Sequence, residues 1–324
     1  MPCMVKRQEE RSDSARSTHL RRSGLIFIEI ASSEKRSPRK FMLYPTILVA
    51  LLFFLVSCTA QTPTPAPTQT PIPMPSATPP LVVMEPSPTP DPCLDATGQV
   101  ERGTYSSVYL PEYYIFLPKC YLEDESTRYP VLYLLHGQTF TAEQWIDLGV
   151  VEHAAALMDA GEIPPFLIVL PLDRLSWDLV ENDPFGDVLI DEFIDFIDAE
   201  YRTLPEPEFR ALGGLSRGAG WTIRKGLQNW ERFGALGIHS PAIFQRDASK
   251  LDNWLASIPA DQMPLIYLDI GDNDNEFENA LALADLLAEM GVVHVWHLYT
   301  GTHDAAYWQA HVEEYLRWYG KAFE

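Results

Sequence analysis

Residues 209–220 read FRALGGLSRGAG, and this stretch decides the fold. Its centre, Gly214-Leu215-Ser216-Arg217-Gly218, fits the G-x-S-x-G pattern, which is weak alone and strong in the right setting. Residues 209–212 form a short, mostly apolar run suited to a buried strand. Residues 221–233 carry spaced apolar positions without proline, as a helix does. Strand, glycine-flanked serine and helix together describe a tight, strained turn. Side chains in place of its two outer glycines would collide with the neighbouring strand or helix. Such a turn lifts the Ser216 hydroxyl above the sheet, at a helix N-terminus whose dipole favours a developing negative charge. The plain alternative is a surface Gly/Ser turn, and the rest of the chain argues against it.

Upstream, residues 98–118 alternate as strands do and suggest an antiparallel start. Residues 129–135 (YPVLYLL) are a continuous apolar run ending at His136-Gly137-Gln138, which reads as a central strand entering a functional loop. Residues 165–172 (PFLIVLPL) are a second such run, with a helical pattern at 150–160 as the crossover. A helix is expected over 185–201. Downstream come a strand at 234–238, a strand at 264–270 and a helix at 276–290. A final strand at 292–299 and a last helix rich in aromatic residues complete the series. Strands alternating with helices imply an α/β fold: a mostly parallel central sheet with helices on both faces.

A serine hydroxyl needs a base within hydrogen-bond reach, and that base needs an acid to fix its tautomer. The order Ser216, Asp274, His303 suits this fold, and each residue follows a predicted strand. Asp272 and Glu276 are alternative acids, and the same acidic cluster also reads as a solvated loop that caps the next helix. Of eight histidines, His303 has the best position. His136 precedes the serine, and its His-Gly setting looks like a loop that shapes an oxyanion hole. His294 and His297 fall inside a strand, and His153 and His239 have no motif around them. The backbone N–H groups of Arg217 and Gln138 are the expected oxyanion donors. Trp145, Trp177 and Trp308 fall near the predicted mouth, where they would stack on a sugar or phenolic acid, although tryptophans are at least as common in a core.

These features resemble the esterase D family, which includes feruloyl and acetyl-xylan esterases, enterochelin esterases, S-formylglutathione hydrolases and mycolyltransferases. The resemblance is carried by YPVLYLLHG at 129–137, Trp145, IPPFLIVLP at 163–171, GLSRG at 214–218, the turn at 271–274 and GTHDAAYW at 301–308. It implies an α/β-hydrolase fold, Ser216, Asp274 and His303 as a catalytic triad, and no metal or other cofactor. It also implies hydrolysis of small-molecule or polysaccharide-linked esters. Ala219 and Thr139 depart from the family pattern where glycines are common. Acyl transfer to a sugar or lipid hydroxyl, and a non-catalytic surface-binding lipoprotein on a hydrolase scaffold, are the competing readings.

The N-terminal third is of another kind. The first 41 residues carry ten Lys/Arg against five Asp/Glu, so the chain's net charge of −21 lies wholly beyond them. Residues 42–57 (MLYPTILVALLFFLVS) are apolar and uncharged, and residues 55–58 (LVSC) resemble a lipobox. Residues 1–58 are therefore expected to be a basic leader and lipoprotein-type signal, with Cys58 the lipidated residue. An uncleaved single-span anchor is the alternative. The leader is long for a signal peptide, which points to a start downstream of Met1. Residues 59–92 hold twelve of the 27 prolines and are expected to be a disordered, extended tether. Residues 93–324 are the folded domain, held outside the membrane because the basic flank stays inside. Its acidity argues against nucleic-acid binding. Cys93 and Cys120 are expected to pair as a disulfide, and no Cys/His spacing suggests zinc.

Overall fold

The computed structural model describes Cys93 and residues 97–324. The signal segment, Cys58 and the proline-rich tether lie outside the described residues. Among the described residues no helix is long and apolar enough to cross a membrane.

Eight strands form one sheet: β1 (Gln99–Thr104), β2 (Glu112–Leu117), β3 (Val131–Leu135), β4 (Leu167–Pro171), β5 (Arg210–Leu215), β6 (Ala235–His239), β7 (Leu265–Gly271) and β8 (His294–Tyr299). Their order is β1-β2-β4-β3-β5-β6-β7-β8. The β1–β2 and β2–β4 pairings are antiparallel and the others parallel. Every residue of β3, β4, β5 and β6 is buried. That explains the unbroken apolar runs of β3 and β4, because a strand covered on both faces has no solvent side to alternate with.

The helices are α1 (Gln144–Asp147), α2 (Val150–Asp159), α3 (Phe185–Val188), α4 (Ile194–Glu200), α5 (Arg217–Gln228), α6 (Leu251–Ser257), α7 (Phe277–Glu289) and α8 (Ala305–Ala322). A π-helical turn, Leu189–Phe193, makes α3 and α4 continuous. The pleat of β3 divides its side chains between two cores. Val131, Tyr133 and Leu135 pack with residues of α3 to α7, such as Phe185, Trp221 and Leu283. Leu132 and Leu134 pack with Trp145, Leu157, Tyr315 and Tyr319 of α1, α2 and α8.

The helix expected over 221–233 begins four residues earlier, at Arg217, and stops at Gln228. Gly218 and Gly220 lower helix propensity, so the first turn reads as loop from sequence. Close packing requires them. A Cβ on Gly218 would lie 2.2 Å from the Leu135 carbonyl oxygen, and one on Gly214 2.5 Å from the Gly218 carbonyl carbon. The short helices α1 and α6 are absent from the sequence reading.

Two further expectations are corrected. Cys93 and Cys120 are not joined by a disulfide. The Cys120 thiol, on a residue with φ of 69°, instead lies 3.9 Å from the Cys93 carbonyl oxygen. Trp145 and Trp308 are buried rather than lining a mouth. Each indole N–H is spent inside the protein, on Leu135 O at 3.0 Å and on Ser240 Oγ at 3.1 Å.

Candidate active site

Ser216 joins β5 to α5 at φ 54° and ψ −118°, a strained conformation for a residue with a side chain. Its N–H donates to the His239 carbonyl at the end of β6. The hydroxyl thus stands at the carboxyl edge of the sheet. Arg217 is the first residue of α5, where backbone N–H groups have no acceptor within the helix.

Three loops converge on that hydroxyl. His303, between β8 and α8, brings Nε2 to 2.9 Å from Ser216 Oγ. Its Nδ1 lies 2.8 and 3.0 Å from the two carboxylate oxygens of Asp274, in the loop after β7. The Asp274 carboxylate is fully buried and the His303 ring is one-fifth exposed. Asp274 Oδ1 also accepts the Glu276 N–H at 2.8 Å, but the residue that caps α7 is Glu276 and no side chain caps that helix, so neither Asp274 nor Asn275 plays the capping role while the contact to His303 is made. Asp272 does not approach His303 by hydrogen bond. Its Oδ1 instead accepts the Gly301 N–H at 3.0 Å, strapping the acid loop to the loop that carries the histidine.

The loop after β3 approaches from the other side. Gln138 is exposed at its tip, and Thr139 adopts φ 73°. This left-handed backbone is why a glycine is common there. Gly137 N–H donates to Gln144 Oε1 at 2.8 Å. His136 Nδ1–H donates to Gly137 O at 2.8 Å, and Nε2 accepts the Asp173 N–H at 2.9 Å. Burial lowers the His136 pKa to about 4, in keeping with a neutral ring whose Nε2 is an acceptor.

The Arg217 side chain went unread in the sequence. Its buried guanidinium donates to Asp173 Oδ2 at 3.1 Å, to Asp183 Oδ2 at 2.6 Å and to the Asp178 carbonyl at 3.1 Å. Burial and the neighbouring Asp173 push the Asp183 carboxyl up to about 6. This cluster anchors the segment carrying Trp177, which is 71% exposed. Beside it opens a cleft of about 270 Å³ lined by Gln138, Leu179, Val180, Arg217, Ile243 and Phe244, among others.

The sheet order and the strained serine with a histidine and a carboxylate in line are the equipment of an α/β-hydrolase. A family model described as "Putative esterase" matches residues 101–319, more than half of the chain, and the chain belongs to that family. A relative from Xylanibacter ruminicola, an endo-1,4-beta-xylanase/feruloyl esterase, is 29% identical over 197 residues, covering 56% of this chain. The chain spans only 24% of that relative's length. A solved ferulic acid esterase superposes with a TM-score of 0.64 at 23% identity, over 71% of this chain and 100% of that one. S-formylglutathione hydrolase from Staphylococcus aureus gives 0.59 at 16% identity, over 69% and 97%. A ferulic acid esterase from Anaeromyces mucronatus, in complex with ferulic acid, gives 0.55 at 20%, over 73% and 95%. At these identities the structural likeness speaks for the fold alone.

Proposed function

We propose that this chain is a membrane-tethered, extracytoplasmic esterase that cleaves carboxylic esters through an acyl-enzyme on Ser216. The observation that carries the reading is the 2.9 Å contact between Ser216 Oγ and His303 Nε2, backed by Asp274 at Nδ1. Ser216 Oγ attacks the ester carbonyl while His303 Nε2 takes its proton. Asp274 keeps the other ring proton on Nδ1 and stabilises the imidazolium. The negative oxygen of the tetrahedral intermediate sits against the N–H groups of Arg217 and Gln138, next to the start of α5. Collapse breaks the ester C–O bond, and His303 returns the proton to the leaving alcohol. Water, deprotonated by the same ring, then releases the acid.

For substrate, we favour acetyl or feruloyl groups carried on carbohydrate. The Xylanibacter relative combines a xylanase with a feruloyl esterase, and the cleft beside Arg217 has apolar walls at Leu179, Val180, Ile243 and Phe244. Exposed Trp177, next to Asp178 of that cleft, can stack on a ring. Tethering rests on the uncharged stretch 42–57 followed by Cys58 and the proline-rich segment.

The test is fluorophosphonate labelling of the full-length chain with intact-mass readout, followed by turnover of p-nitrophenyl acetate and methyl ferulate. A single adduct is expected, lost in Ser216→Ala together with at least about a thousandfold of kcat. Wild-type hydrolysis in Ser216→Ala would sink the reading. Product that forms only with an added sugar acceptor would redirect it to acyl transfer.

A further inference from the structure

Beneath the serine lies a second His–Asp pair. Asp269 in β7 and His239 at the end of β6 have no solvent-accessible surface, and His239 Nδ1 is 2.7 Å from Asp269 Oδ1. The other carboxylate oxygen, Oδ2, accepts from Tyr307 Oη at 2.7 Å and from Tyr315 Oη at 2.8 Å. His239 Nε2 is 3.0 Å from Tyr319 Oη, and the His239 ring stacks on Tyr315 with centroids 3.8 Å apart. All three tyrosines belong to α8, the helix that follows His303. Burial first, and the Asp269 charge second, hold their hydroxyls protonated, so Tyr307 and Tyr315 donate to the carboxylate.

The sheet is built to receive this group. Gly213 and Gly237 face each other across β5 and β6, and a Cβ on either would lie within 2 Å of Tyr319 Oη. A buried carboxylate is costly, and well-packed apolar residues in its place often leave a protein as stable or more so. What such a group can add is registry between elements. Here the elements are those that hold the two ends of the Ser216–His303 hydrogen bond. On the serine side, His239 O accepts the Ser216 N–H. On the histidine side, Tyr307 lies one turn into α8, and its N–H donates to the helix-capping Asp304 beside His303. Trp308 packs edge-on against the His303 ring, and its indole N–H donates to Ser240 Oγ, while Ser240 N–H donates to Asp269 O.

We propose that Asp269 and His239 are positioning residues for ester cleavage: the pair locks the first turn of α8 to β6 and β7 and so sets the distance between His303 Nε2 and Ser216 Oγ. This rests on the roles proposed for Ser216 and His303. Tyr307 is the arm that reaches the histidine turn. Tyr315 gives the same oxygen the same kind of hydrogen bond, two helical turns farther along.

The two phenols supply the test. Asp269→Asn turns an amide toward three donors and is expected to lower folded yield, so the deciding variants are Tyr307→Phe and Tyr315→Phe in the full-length chain. Measured are Tm, kcat and KM on p-nitrophenyl acetate, and the rate of fluorophosphonate labelling. Both variants should lose a similar amount of thermal stability. Tyr307→Phe should lose about tenfold in kcat and labelling rate with KM within about twofold, because a displacement of 1 Å at a reacting pair costs about a hundredfold. Tyr315→Phe should stay within about twofold of wild type in both. Equal kinetic losses in the two variants, or none in Tyr307→Phe, would overturn the positioning role while leaving the esterase reading intact. A wild-type chain that Ser216→Ala does not silence would remove both.

Discussion

His136 has both ring nitrogens committed inside the protein, and its pKa of about 4 lies well below the ordinary 6.5. Between those values the unfolded chain binds the proton and the folded chain does not. Its contribution to stability is therefore full above pH 6.5 and falls as pH drops toward 4, by about 3 kcal/mol. Asp183 runs the other way: its carboxyl is pushed up to about 6, so the folded chain binds that proton first and the contribution shrinks as pH rises through 6. Subtraction isolates His136. The stability gap between wild type and His136→Gln, read by urea unfolding at pH 7 and pH 4.5, should narrow on acidification, and a gap constant with pH would refute the assignment. Of the residues in this site, Ser216 and His303 were legible because glycine punctuation and chain order mark them. Asp274 and Asp272 sit two positions apart in one loop. Only the path of that loop sends one carboxylate to His303 and the other to the Gly301 N–H.

At the scale of elements, strands were easier to read than the helix that matters most. β3 and β4 are apolar throughout because both their faces are covered, and β5 and β6 are buried along their whole length with one charged or polar residue each, Arg210 and His239. The start of α5 is obscured because Gly218 answers to crowding against the end of β3, and Gly220 to crowding against Ala242 and Phe244 after β6, rather than to helix propensity. That crowding can be tested. In Gly218→Ala the new methyl meets backbone carbonyls of residues 135 and 136, which cannot rotate aside as a side chain would. Overpacking of this kind costs about 1–3 kcal/mol or more. Gly161→Ala is the contrasting steric case: it meets nothing within 4 Å, so any loss there comes from its φ of 69° alone. A calorimetric Tm for Gly218→Ala within about 1 °C of wild type would contradict the packing argument, since 1 kcal/mol shifts Tm by about 2–4 °C in a domain of this size.

At the scale of the whole molecule, residues 1–41 are basic, the rest of the chain is acidic, and residues 59–92 hold twelve of the 27 prolines. If Cys58 is the lipid attachment point, radiolabelled palmitate incorporation in a bacterial host should vanish in Cys58→Ser while ester hydrolysis persists. Label that survives the substitution would end the lipobox reading, and a membrane-bound wild-type chain that takes up no label would favour the single-span anchor. Charge, proline content and the apolar stretch are properties of contiguous sequence and are legible without tertiary structure.

The same distinction runs through the domain. Hydrophobic periodicity and glycine punctuation are local signals, and they were enough to determine the α/β class, the elbow at Ser216 and the order of serine, acid and histidine. The pairing of buried polar groups is not local. His239 meets Asp269 across 30 positions and Tyr319 across 80. Arg217 meets Asp173 across 44. In sequence each of these reads as an ordinary strand, helix or loop residue. Only assembly of the sheet and the packing of α5 and α8 against it decided which of them would be buried together. A polar group enclosed in that way must find its partner inside the fold, because water can no longer supply one.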